Sequence, residues 1–218
     1  MRPPLPLAAL ALLLALPALA GPSDSHVAGN TYDGEEVTCD LPAEQHLKNI
    51  GSHRDGAGMC VMSSCEMAAR WDGLEEYRGL RDWCANEAGG AYPEKVDDQL
   101  RRYARAKGLS EPRYFQYTGD NPEPLLELID KTGRMACFAY GYSPRYGGAI
   151  NHMVCGAKYS GKYGVVLDNN FPGTYEWMPR EELIRRMKTS AGRGGQQVRS
   201  PAWVFVWLEA PPPPVPHN

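Results

Sequence analysis

The chain has 218 residues, 43% hydrophobic and 22% charged, which is enough to bury one core of its own and too little for two large domains. With 23 Lys and Arg against 26 Asp and Glu, the formal charge is -3. No basic field exists to attract a phosphate backbone, which excludes nucleic acid as the main partner. The 12 Tyr, 5 Trp and 4 Phe are core material that a disordered chain lacks.

Residues 1–20 carry a basic Arg2, an apolar run from Leu5 to Leu16, and the ending Ala18-Leu19-Ala20 before Gly21. This is the pattern of a secretory signal peptide, and the apolar run is shorter than the ~20 residues that span a bilayer. The product is expected to be secreted or periplasmic, with no membrane attachment after cleavage. Residues 21–36 are polar and read as a flexible N-terminal segment. Residues 37–210 read as the domain, and 211–218, beginning Pro-Pro-Pro-Pro, as a tail that joins neither helix nor ladder.

Six cysteines stand at 39, 60, 65, 84, 137 and 155, in a chain bound for a compartment where disulfides persist. None forms a CxxC, and no His follows Cys60 and Cys65 at zinc-finger distance, so structural zinc is not expected. If one thiol is kept free for chemistry, Cys39, Cys65, Cys84, Cys137 and Cys155 are left to form up to two bridges.

Periodicity predicts a helix over 59–71, where Val61, Ser64, Cys65, Ala68 and Ala69 recur at helical spacing and Gly73 stops the run. A second covers 94–107, with Val96, Leu100, Tyr103 and Ala104 on one face and Gly108 at its end. A third covers 123–131. After Gly133, segments 135–142, 152–159, 162–169 and 174–178 read as strands, with a hairpin turn at Ser160-Gly161. A helix over 180–188 follows. The last strand, 202–210, alternates Trp203, Phe205 and Trp207 with Val204, Val206 and Leu208, so both faces are apolar and it belongs inside the sheet. Helices first and strands after make an α+β fold.

Cys60 follows Asp55-Gly56-Ala57-Gly58-Met59 at the first turn of its helix, where the unsatisfied N–H groups favour thiolate over thiol. A thiol nucleophile needs an imidazole anchored elsewhere. Of the five histidines only His152 opens a predicted core strand. The hairpin from His152 returns to Asp168-Asn169-Asn170, where a carboxylate or an amide can fix the imidazole tautomer. Cys65, more than a turn into the helix, reads as a packing or disulfide residue. Trp71 and Trp83 read as closing the core around that helix.

Here the sequence resembles the papain-like cysteine peptidases. Gly58-Met59-Cys60-Val61-Met62-Ser63-Ser64 is similar to the family's nucleophile helix, Asn151-His152-Met153-Val154 to its histidine strand, and Leu167-Asp168-Asn169-Asn170-Phe171 to its Asn-x-aromatic segment. The overall plan resembles the compact bacterial members, the double-glycine leader peptidases. The resemblance covers residues 45–190. It implies a papain-like fold, with an N-terminal helix bearing the Cys packed against a C-terminal antiparallel sheet. It further implies a thiol hydrolase of peptide or protein substrates that uses Cys60, His152 and either Asn169 or Asp168, with no cofactor and no metal. Asn169 is narrowly preferred, because Phe171 then occupies the position of the aromatic that covers the Asn–His bond in that family. One departure stands out: the oxyanion glutamine expected just before the cysteine is missing, and Gln45 is the nearest. Two other functions fit the same residues, acyl transfer to an amine in the manner of transglutaminase-like proteins, and a non-catalytic extracellular binding role on a peptidase-like scaffold.

Overall fold

In the computed structural model, which describes residues 25–208, the chain opens with three short strands, β1 (His26–Ala28), β2 (Thr31–Tyr32) and β3 (Glu35–Glu36). Three helices follow: α1 (Cys60–Trp71), α2 (Leu80–Cys84) and α3 (Pro93–Lys107). Every residue of α1 except Arg70 is buried, which makes it a core helix. Helix α3 starts on Pro93, whose fixed φ suits a first turn, and stops at Gly108 in the left-handed region.

Strand β4 (Tyr114–Gly119) and helix α4 (Glu123–Lys131) lead into β5 (Ala136–Ser143), β6 (Gly148–Tyr159), β7 (Tyr163–Leu167) and β8 (Tyr175–Pro179). Helix α5 (Arg180–Met187), the hairpin β9 (Thr189–Ala191) and β10 (Gln197–Arg199), and β11 (Ala202–Trp207) complete the described chain. Seven strands form one antiparallel sheet in the order β1-β8-β7-β6-β5-β11-β4, and the fold is α+β with five helices among the described residues.

Strand alternation divides the core into two. Cys137, Met153, Cys155, Leu167, Phe205 and Trp207 face α1–α3, whereas Phe138, Val154, Val166, Val204 and Val206 face α4 and α5. Strand β11 lies between β5 and β4, as its two apolar faces require. Trp71 and Trp83 both pack on the first cluster. A buried ion pair, Arg186 Nη1 to Glu176 Oε1 at 2.8 Å, pins α5 to β8.

Two expectations are corrected. From Ser25 onward, the segment expected to be flexible is structured: β1 pairs with β8 at the sheet edge, β2 pairs with β3, and Trp177 Nε1 donates to Gly29 O at 2.9 Å. Main-chain pairing holds this edge, so its polar side chains gave no sign of it. The expected bridges are also absent, because all six cysteines are free and buried. Cys137 and Cys155 are direct cross-strand partners, and Cys65 comes within hydrogen-bond reach of Cys137 from α1. Burial pushes the Cys39 and Cys137 thiols well above their ordinary range and Cys84 to about 12, so these thiols stay protonated and pack as small apolar side chains. The leader 1–20 and the tail 211–218 lie outside the described residues. Among the described residues, no helix is long and apolar enough to cross a membrane.

Candidate active site

The loop before α1 is fixed before the helix begins. Gly51 bridges Gly58, and Asp55 Oδ1 accepts from Gly89 N (2.9 Å), Ser52 Oγ (2.7 Å) and Ala57 N (3.0 Å). These donors hold the Asp55 carboxyl at about 2. Gly90 N donates to Gly58 O at 2.9 Å, so the 89–90 loop is fastened beside Cys60. Met59, the N-cap of α1, offers no side-chain acceptor, which leaves first-turn N–H groups to face whatever sits at Cys60.

His152 lies on β6 opposite Tyr140 of β5. Its Nε2–H donates to Asp168 Oδ1 at 2.8 Å, while Cys60 hydrogen-bonds the ring, which leaves Nδ1 as the nitrogen facing sulfur. Asp168, just past β7, has no exposed surface and accepts four bonds. His152 and Asn170 N (2.8 Å) reach Oδ1, and Tyr140 Oη (3.0 Å) and Tyr146 Oη (2.7 Å) reach Oδ2.

The electrostatics follow from these contacts. Burial alone would raise the Cys60 thiol, but the hydrogen bond and charge of His152, with the Met153 and Val61 N–H groups, outweigh it and hold the thiol below its ordinary value. For His152, burial opposes the charged ring, yet Asp168 and Cys60 overcome it and raise the imidazole to about 9. For Asp168, burial is again the largest influence and is again overcome, here by His152, Asn170 N–H and Tyr146, so its carboxyl lies below the usual range. The combination favours a thiolate beside an imidazolium.

Asp168, rather than Asn169, holds the ring. Asn169 Nδ2 instead donates to Met153 O (2.9 Å), Ser64 Oγ (3.0 Å) and Cys60 O (3.1 Å), and Ser64 Oγ donates to Met153 O at 3.0 Å. Adjacent residues thus divide two tasks, one orienting the imidazole and the other latching α1 to β6. Phe171 stacks edge-on to Tyr146 at 5.4 Å and carries the Arg145 guanidinium at 3.8 Å, so the aromatic ring nearest the histidine on that side is Tyr146.

The remaining candidates fall elsewhere. Cys65 is fully buried in the core. Gln45 Oε1 accepts from Arg78, away from Cys60. Near Gly58, by contrast, the Asn49 amide Nδ2 would stand 3.2 Å from a Cβ on that glycine, and its Oδ1 is buried without a partner. The tyrosines on Asp168 and the Ser64–Asn169 latch escaped sequence reading, although Ser64 stood inside the nucleophile-helix motif.

A cleft of about 260 Å³ opens at Cys60 and His152, walled by Gly90 and Ala91 on one side and by Met187, Thr189, Pro201 and Trp203 on the other. Among the described residues, His152 is the one titratable base on its walls, and no Asp, Glu, Lys or Arg lines it. Asn151 fixes one wall by exchanging two bonds with Ala191 of β9, at 3.2 and 2.8 Å. No protein-family model matches the chain, and no curated protein matches it.

Proposed function

We propose that the chain is a thiol hydrolase of papain-like type, cleaving a peptide or related amide bond outside the cytoplasm. The observation that carries this is the single imidazole held between Cys60 and a fully satisfied Asp168, with Cys60 and His152 lining a cleft. The Cys60 thiolate attacks the substrate carbonyl carbon, and its oxygen takes the negative charge. First-turn N–H groups of α1, with the Asn49 amide beside Gly58, are the donors we assign to that oxygen. His152 Nδ1 gives its proton to the leaving amine as the C–N bond breaks, leaving a thioester. Water then loses a proton to His152 and displaces the sulfur, which releases the acid and restores the thiolate.

The chain order Cys, His, Asp and the helix-then-sheet layout support the papain-like assignment, and a carboxylate on the ring favours the compact leader-peptidase pattern over the papain one. A purely binding role gives the relay no task. The leader pattern in 1–20 is what supports action outside the cytoplasm. The test is selective labelling by a thiol-directed electrophile in the folded mature chain, with peptide-library hydrolysis as the activity. Label at Cys60 and no cleavage by Cys60→Ala are expected. Full cleavage by that variant overturns the proposal.

A further inference from the structure

We infer that Tyr146 is a positioning residue that acts on the nucleophile through Asp168, and that the turn carrying it caps the Asp168–His152 pair. This rests on the thiol-nucleophile reading. The phenol has one proton to give, and Asn170 Nδ2 donates to its oxygen at 2.8 Å, directing that proton to Asp168 Oδ2 at 2.7 Å. The same ring stands 5.5 Å from the His152 ring, so one side chain both bonds the carboxylate and covers the imidazole.

Tyr140 reaches Oδ2 from the interior and is fully buried, whereas Tyr146 is half-buried and stands between the carboxylate and solvent. The cap is a single 3₁₀ turn, Pro144–Tyr146, started by Ser143 Oγ accepting from Arg145 N at 3.2 Å. It ends on Gly147 and Gly148, whose φ values of 71° and 151° suit glycine alone, so the turn is a short, separately built piece attached to the histidine strand. Facing Asp168 are His152 from β6, Tyr140 from β5 and Tyr146 from the turn, with the Glu176–Arg186 pair behind Tyr140.

Removing the phenol proton leaves one donor fewer on the ionised carboxylate. More of the Asp168 charge then offsets the imidazolium that faces the sulfur, and the thiolate forms at higher pH. The experiment is the pH dependence of Cys60 alkylation by iodoacetamide, read by mass spectrometry on the full mature chain. Tyr146→Phe is expected to raise the midpoint by about half to one pH unit, with alkylation below the midpoint slowed about 3- to 10-fold. Asn170→Ala, which leaves the tyrosine but removes the amide that aims it, is expected to shift the midpoint the same way by less, and it carries the test if the first variant does not fold. A Tyr146→Phe profile that superimposes on the unmodified chain's overturns the inference. If the unmodified chain already matches His152→Ala, the parent thiol-nucleophile reading falls instead.

Discussion

Two buried carboxylates, one at each end of the helix layer, behave in opposite ways. Asp168, behind the His152 ring, is 0% exposed and receives four donors, and its carboxyl lies below the usual range. Asp72, just past the C-terminal end of α1, is 4% exposed, and neither oxygen has a hydrogen-bond partner among the described residues. Burial raises its carboxyl to about 7, and the nearby charge of Arg134 offsets only part of that. Depth alone does not set ionisation in this molecule; the donors that reach the oxygens do.

Exchanging charge for an amide at each position tests the contrast. Asp168→Asn keeps the shape but loses the charge that stabilises the imidazolium, and the hydrolysis rate should fall by about 10³- to 10⁴-fold. Steady-state kinetics on a cleaved peptide measures this, and a loss under tenfold would mean that the carboxylate charge is not what activates the pair. Asn169→Ala removes the two amide protons that the three acceptors of the latch share, and no bond to the ring. It should cost about 2–3 kcal/mol of stability in urea titration. Its pH optimum should stay in place, and a moved optimum would assign Asn169 a share in orienting the ring.

Asp72→Asn should stabilise. A carboxyl near 7 in the folded chain and 3.8 when unfolded gives stability that is fully present below about 4 and lost as pH rises through about 7. The native chain should therefore melt at a lower temperature at pH 8 than at pH 5. The asparagine variant should remove most of that difference, a gain on the order of 2 kcal/mol at pH 8. Calorimetry at the two values checks it, and a variant no more stable at pH 8 would mean that water or Arg134 already satisfies Asp72.

Much of this arrangement was legible in the sequence, and the misses have physical causes. Helices α3 and α4 were found almost to the residue because apolar spacing and terminal glycines act locally. That Cys60 and His152 would meet was legible because a glycine-rich lead and a strand start are local features too. The choice between Asp168 and Asn169 was not legible, since neighbouring side chains leave a strand end in different directions and only the packed fold decides which meets the ring. Strand β1 was missed because its cohesion is main-chain pairing. The cysteines misled in another way: the leader pattern in 1–20 suggests bridges, yet five of the six serve as packing residues around α1 and the sheet.

Gly141 sits at the irregular step of β5, between Tyr140 and Tyr142, with the backbone of β9 against it. A Cβ there would lie 2.2 Å from Thr189 O and from Ser190 Cα, the main chain behind the cleft wall. The width of the cleft is therefore governed from its outer side, at a residue that is not part of its lining. One added methyl group would shift the whole hairpin, so the cleft can change width while Cys60, His152 and Asp168 stay in place.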